Sequence, residues 1–242
     1  MMSNCTGGMV ILTGASSGIG LAMTKALLSN GYSVTGIARS FDAGVINSEN
    51  FEAVTLDLSE LDLLSKRLGE IISEISIPIR AVVHNAGVGK FASVEQLSVP
   101  DIKLVMETNF LSHAIVTKVF LPILKRQDTL ADIVFMGSES SINGSRYGSI
   151  YCASKFAVRG FAQSLREECA KTPIRVSILN PGAVRTPFFE DLHFEPGPAS
   201  GNAIQPEDVA EVLLTVLEAR PGTVIDEVNL SPQTKVWGRK PN

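Results

Sequence analysis

The sequence predicts an α/β protein built on a doubly wound parallel sheet of about seven strands with helices on both faces. Three observations carry this. Short apolar runs rich in Val, Ile and Leu alternate with longer stretches of helical periodicity along the 242 residues. The runs are nearly continuous in apolar residues, as in parallel strands covered on both faces. A glycine-rich turn, Thr13-Gly14-Ala15-Ser16-Ser17-Gly18-Ile19-Gly20, joins the first run to the first helical pattern. Strands and helices alternating this way give a Rossmann-type sheet.

Strands are expected at Met9–Thr13, Ser33–Ile37, Glu52–Leu56, Ala81–His84, Asp132–Met136, Ile174–Leu179 and Thr223–Asn229. Helical patterns occupy Ile19–Ser29, Leu61–Ile75, Asp101–Leu124, Tyr151–Lys171 and Pro206–Glu218. Pro206 suits a first helical position, where its missing N–H costs nothing, and the acids after it suit the positive helix end. No linker or repeat divides the chain, so residues 1–242 are expected to form one domain carrying both cofactor and substrate sites. One segment breaks the rhythm: residues 182–205 hold three prolines, three glycines and three phenylalanines. A loop of that length in a compact domain is expected to be a lid. The last dozen residues, from Ser231, read as a tail.

Apolar residues make up 45% of the chain, enough for a large core, and the formal charge of −4 gives no reason to expect nucleic acid or an anionic membrane as partner. The apolar stretch Ala114–Leu124 is broken by Lys118 and Pro122 and is too short to span a bilayer. The N-terminal residues lack the pattern of a signal peptide. Cys5, Cys152 and Cys169 have no metal-ligand spacing, so the expectation is a reduced, cytoplasmic protein without a metal.

Gly14, Gly18 and Gly20 follow a strand and open a helix. Glycine there permits a tight turn, lets backbone N–H groups approach a pyrophosphate, and lets helix and strand pack closely. At the end of the second strand, an acid would grip a ribose 2′-hydroxyl and repel a 2′-phosphate. This chain has Arg39-Ser40 there, with Asp42 beyond. A guanidinium pairs with a phosphate, so NADP is expected over NAD. The rival is a solvated Arg39 with Asp42 on the ribose.

Tyr151 and Lys155 are four residues apart, on one helix face, with Ser138 thirteen residues upstream of the tyrosine. A phenol of ordinary pKa, near 10, exchanges protons poorly at neutral pH. An ammonium about 4 Å away, at an effective dielectric of 20, supplies roughly 4 kcal/mol. That is about three pKa units, enough to bring the tyrosine near neutrality.

With these motifs in order, the chain resembles the short-chain dehydrogenase/reductase family in its compact single-domain form. The resemblance runs from Met9 to about Asn229. It includes Asn85-Ala86-Gly87 after the fourth strand, Asn109 in the next helix, Ser138, Tyr151 with Lys155, and Pro181-Gly182 with Thr186 after the sixth. The glycine spacing, Thr-Gly-x-x-x-Gly-x-Gly, is the family's. The resemblance implies a hydride transfer between NADP(H) and a ketone, aldehyde or hydroxy acid. Tyr151 would be the general acid/base. Lys155 would lower its pKa and bind the nicotinamide ribose, Ser138 would hydrogen-bond the substrate oxygen, and Asn109 would position a water leading to solvent. Ser16, Ser17 and Ile19 would join the glycines at the phosphates. Asp57 and Leu58 would touch the adenine, Asn85, Ala86 and Gly87 its other side, and Pro181, Gly182, Val184 and Thr186 the nicotinamide end. A homodimer or homotetramer built on the helices at Asp101–Leu124 and Tyr151–Lys171 is implied as well. The C-terminal strand is similar to that of the branch with NADP-dependent serine and 3-hydroxy acid dehydrogenases.

Some residues read otherwise. His84 is expected to be a buried strand-end histidine, Cys152 a packing residue, and Tyr147 a lining residue with no lysine partner. Phe188, Phe189, Leu192 and Phe194 would exclude water. Arg146 and Arg185 could meet an acidic substrate, whereas Glu139 would disfavour one. The alternative from another class is a non-catalytic NADP-binding regulator, which would need none of Ser138, Tyr151, Lys155 or Asn109. An isomerase or dehydratase of the same fold would alter the catalytic set.

Overall fold

The computed structural model describes residues 7–240, so Cys5 lies outside the described residues. Its strands are β1 (Met9–Thr13), β2 (Ser33–Ala38), β3 (Phe51–Thr55), β4 (Ile79–His84), β5 (Ala131–Met136), β6 (Ile174–Pro181), β7 (Phe194–Pro196), β8 (Glu227–Leu230) and β9 (Trp237–Arg239). The helices are α1 (Gly18–Ser29), α2 (Leu61–Glu74), α3 (Val99–Met106), α4 (Ser112–Arg126), α5 (Ser149–Cys169) and α6 (Pro206–Glu218). Seven strands pair in the order β3-β2-β1-β4-β5-β6-β8, all parallel.

Side chains alternate across a strand, and that period divides the core in two. Ile11, Ile37, Ile133, Phe135 and Ile178 face α2, α4 and α5 through residues such as Leu68, Phe120 and Leu165. Val10, Leu12, Val34, Val134 and Leu179 face α1 and α6 through Met23, Leu27, Leu213 and Val216. The sheet is thus covered on both faces, as its sequence predicts. Edge strand β3 is the exception: Glu52, Ala53 and Thr55 are exposed, because no further strand or helix reaches them.

Two segments differ from their sequence expectation. The long helical pattern at Asp101–Leu124 is α3 and α4 joined by a wider π turn, Glu107–Leu111. The C-terminal residues are not a tail throughout, since β9 pairs antiparallel with β7 inside the proposed lid. Trp237 packs against Phe189 at 5.9 Å and Phe194 at 5.4 Å between ring centroids, and these ring contacts hold the segment in place. Lys240 Nζ also donates to the carbonyls of Phe189 and Glu190.

The amino end of the sheet is closed by an ion cluster. Buried Asp132 accepts from Arg175 Nε at 2.7 Å and Nη2 at 2.8 Å, and from Arg80. Both arginines also donate to carbonyls at the C-terminus of α6, among them Leu217 and Ala219. Those carbonyls lack helical partners and carry the negative helix end, so guanidinium groups satisfy them. At the opposite end, the strand order reverses between β1 and β4. A crevice at the carboxyl ends of such strands is where an α/β sheet binds ligands.

Candidate active site

The first turn after β1 is shaped by contacts that leave no room for side chains. Gly14 has φ +69°, and a Cβ there would lie 2.9 Å from Ala86 Cα. A Cβ on Gly20 would lie 1.9 Å from the Gly14 carbonyl oxygen. The sheet thereby brings the glycine turn against the loop after β4. Thr13 Oγ1 accepts from the Asn85 and Ala86 N–H groups at 2.9 and 3.1 Å, and Asn85 Nδ2 donates to the Thr13 and Gly14 carbonyls at 3.1 Å each. Asn85 therefore reaches the predicted place, but its amide donors brace the turn.

The start of α1 lies open. Ser17 is its N-cap yet makes no side-chain cap bond, and the first turn has no acid. Bare N–H groups at a positive helix end suit a phosphate. Ser16 borders a cavity of about 330 Å³ with Phe41, Asp42 and Phe51. Ile19 packs into the α1–α6 core and offers backbone only. Arg39 and Ser40 are exposed just past β2, and Arg39 makes no hydrogen bond or ion pair among the described residues. Beside it, burial pushes the Asp57 carboxyl up. Hydrogen bonds from Ser59 N at 2.9 Å and Oγ at 2.7 Å outweigh that and hold it below its usual range, with Arg39 adding to the effect. Leu58 is buried next to it.

At the other end of the crevice, Gly87 faces the Lys155 amine. A Cβ on Gly87 would lie 3.7 Å from Lys155 Nζ, in van der Waals contact with the amine. Pro181 ends β6, and Gly182 N donates to the Leu230 carbonyl at 2.8 Å. Val184 is buried and bridged to Ile204. Thr186 returns to the glycine turn: a Cβ on Gly18, where φ is +49°, would sit 3.2 Å from Thr186 Cβ. The predicted phosphate residue Gly18 and nicotinamide residue Thr186 thus meet at the carboxyl end of the sheet, where a dinucleotide would lie. Glycine cradle, uncapped helix start and unpaired arginine all fit that group.

Helix α5 carries the reactive pair. Lys155 is buried, and its Nζ donates to the Met136 carbonyl at 2.9 Å and lies 5.9 Å from the Tyr151 ring centroid. Ser138 caps the 3₁₀ turn Glu139–Ser141: its Oγ accepts from Ser140 N at 3.1 Å, while Ser141 Oγ accepts from Ser138 N at 2.9 Å. These bonds fix the serine hydroxyl, which also hydrogen-bonds Tyr151.

The electrostatics differ from the sequence expectation. Burial pushes the Tyr151 phenol up to about 12, the Ser138 bond pulls it back, and Cys152 and Glu139 push it up further. Lys155 does not enter that balance, and burial brings its own amine down to about 8. Two physical reasons account for this. The amine sits beside the ring's face and spends a proton on Met136, and a desolvated ammonium is itself costly. A phenol brought near neutrality by lysine alone is thus corrected by the structure.

Asn109 reaches the site from the π turn, but its side chain is fully used. Its Oδ1 accepts from Val88 N at 2.8 Å, and its Nδ2 donates to the Val88 carbonyl at 3.0 Å and to Ser154 Oγ at 3.1 Å. Through its side chain it clamps the β4 loop to α5.

Two residues near the site, His113 and Phe91, were given no role by the sequence reading. Buried His113 places Nε2 3.0 Å from the Ala86 carbonyl, and burial with the Lys155 charge brings it down to about 3. It is therefore neutral and donates from Nε2. Phe91 packs 5.0 Å from the Tyr151 ring, and its place after Asn85-Ala86-Gly87 was the one available signal. His84 is buried on Thr117, as expected. Cys152 packs with its Sγ 3.3 Å from Ser145 Oγ. Tyr147 lies half exposed beneath the Arg146 guanidinium. Among the described residues, no helix is long and apolar enough to cross a membrane, and no group of three His, Cys, Asp or Glu is placed to hold a metal.

Comparison with known proteins agrees with this geometry. Residues 8–195 match the sequence profile of short chain dehydrogenases. A sepiapterin reductase of Chlorobaculum tepidum is 30% identical over 181 residues, covering 75% of this chain and 72% of the relative. An NADP-dependent 3-hydroxy acid dehydrogenase of Schizosaccharomyces pombe is 29% identical over 255 residues, covering 96% and 95%. The X-ray structure of an alcohol dehydrogenase from Thermococcus sibiricus, complexed with 5-hydroxy-NADP, superposes with a TM-score of 0.82 at 26% identity, covering 94% and 98%. With its glycine turn, its Ser138–Tyr151–Lys155 group and a profile match over most of its length, the chain belongs to the short chain dehydrogenase family.

Proposed function

We propose that this protein is an NADP-dependent oxidoreductase that interconverts a carbonyl and an alcohol, with Tyr151 as general acid/base. One observation carries the reading: Ser138, Tyr151 and Lys155 converge at the carboxyl end of the sheet, next to the crevice built by Gly14, Gly18 and Thr186. When bound, the nicotinamide supplies or accepts the hydride. Tyr151 gives its proton to the substrate oxygen in reduction, and solvent replaces it. Ser138 orients that oxygen, and its hydrogen bond strengthens as negative charge develops there. Lys155 would hold the nicotinamide ribose, and Arg39 would meet the adenosine 2′-phosphate. The clamp by Asn109 and the bond from His113 to the Ala86 carbonyl position the loop that floors the crevice.

One domain carries both sites, with 182–205 as the lid and β9 fastening it. Exposed Phe156 on α5 and Leu111 beside α4 support a homo-oligomer formed on those helices. The free thiols Cys152 and Cys169 suit a reducing, cytoplasmic compartment. The experiment is NADPH oxidation over a panel of ketones, aldehydes and 3-oxo compounds, repeated with NADH. Turnover with a kcat/KM preference for NADPH is expected. Tight NADPH binding without turnover of any compound would favour the regulator instead.

A further inference from the structure

The surroundings of Tyr151 narrow the substrate class. Phe91 lies 5.0 Å and Phe188 5.9 Å from the Tyr151 ring centroid. Phe194 stands edge-on to Phe91 at 5.2 Å, and Trp237 of β9 closes on Phe194 from outside. Gly89 makes this approach possible, since a Cβ there would lie 2.5 Å from Phe188 Cζ. Aromatic side chains thus run without interruption from the tyrosine to the C-terminal strand.

Most cations around this cluster are already engaged. Lys90 pairs with Asp101 at 3.4 Å and Lys235 with Glu139 at 2.6 Å. Arg185 Nη2 donates to the Gly197 carbonyl at 2.8 Å, Arg146 lies 4.7 Å over the Tyr147 ring, and Lys240 donates to lid carbonyls. Arg239, opposite Phe194 in the β7–β9 register, is exposed, so a carboxylate it met would sit at the solvent rim. The charge closest in sequence to Ser138 is an acid, Glu139, and its field reaches the Tyr151 phenol. A carboxylate brought among these rings would lose its water and find only Lys155, whose amine lies 5.9 Å from the Tyr151 ring centroid and already donates to the Met136 carbonyl.

We infer that the substrate is an uncharged carbonyl compound whose substituent is aromatic or a long apolar chain, seated between Phe91, Phe188 and Phe194. This rests on the oxidoreductase reading above and excludes free hydroxy and oxo acids from it. The test compares an aryl 3-oxo ester with its free acid in NADPH oxidation by the full-length protein. A kcat/KM at least about 100-fold higher for the ester is expected, the scale of leaving a buried charge unpaired. Phe194→Arg should narrow that ratio by about tenfold or more by supplying a partner for the acid. An unmodified protein that turns over the acid as well as the ester would overturn the inference and leave the oxidoreductase reading intact. Turnover of neither compound, nor of any carbonyl in the panel, with NADPH bound would overturn both.

Discussion

The two ends of the central sheet obey opposite rules. At the amino end, Asp132, Arg80 and Arg175 form a buried cluster whose charges are paired and whose spare donors satisfy the α6 carbonyls. At the carboxyl end, the first turn of α1 has no side-chain cap bond, Arg39 makes no hydrogen bond or ion pair among the described residues, and Lys155 and Tyr151 are displaced from their ordinary pKa values. One end is complete without a ligand, whereas the other leaves donors and charges for one. The same sheet serves both because parallel strands put all their carboxyl ends on one side.

Substitution separates these roles. The largest effect is expected from Tyr151→Phe, which should lower turnover by about 10²–10⁴-fold, the usual contribution of a general acid. It should leave NADPH binding and thermal stability essentially unchanged, as read by cofactor fluorescence and melting. At the closed end, Asp132→Ala should do the reverse. It strands two guanidinium groups and should cost about 3–5 kcal/mol in denaturant unfolding while the folded fraction keeps its kcat. Comparable stability losses from both substitutions would erase the contrast.

A smaller effect is expected from Arg39→Ala. Losing a charge-assisted bond of about 1.5–3 kcal/mol should weaken NADPH by roughly 10–150-fold and leave NADH almost unaffected. Asp42 borders the cavity next to Ser16, so unchanged binding of both cofactors would move the ribose contact to that acid. The smallest effect concerns pH. Lys155 has a lowered pKa of about 8, so its ammonium is present below that pH and lost above it. NADPH affinity should stay level up to about pH 8 and fall beyond it, and Lys155→Met should be weaker throughout and lack the inflection. A profile in Lys155→Met identical to the parent's would assign the titration to another group.

Much of this contrast is written in residue order, because strand and helix periods and glycine positions are local. β1 and α6 are found at their predicted bounds, and Gly14, Gly18 and Gly20 occupy the turn where a side chain would collide or need positive φ. Less legible was everything that depends on what a side chain finds across space. Asn85 and Asn109 sit where expected, yet their amides brace backbone. His113 and Phe91 carry no motif and matter only because α4 and the β4 loop fold against α5. Charge behaviour was the least legible: spacing of four places Lys155 and Tyr151 on one face, but burial opposes ionisation of both.

The order of apolar runs, glycines and the Tyr151–Lys155 spacing by themselves determined a parallel α/β sheet, its ligand-binding end and its family. Tertiary structure alone decided that residues 237–239 pair with the 182–205 segment, that aromatic rings pack around the phenol, and that Lys235 is held by Glu139. The reason is range. A backbone period repeats within a few residues, whereas the free energy of a charge or a ring is set by neighbours from distant parts of the chain and by the water they exclude.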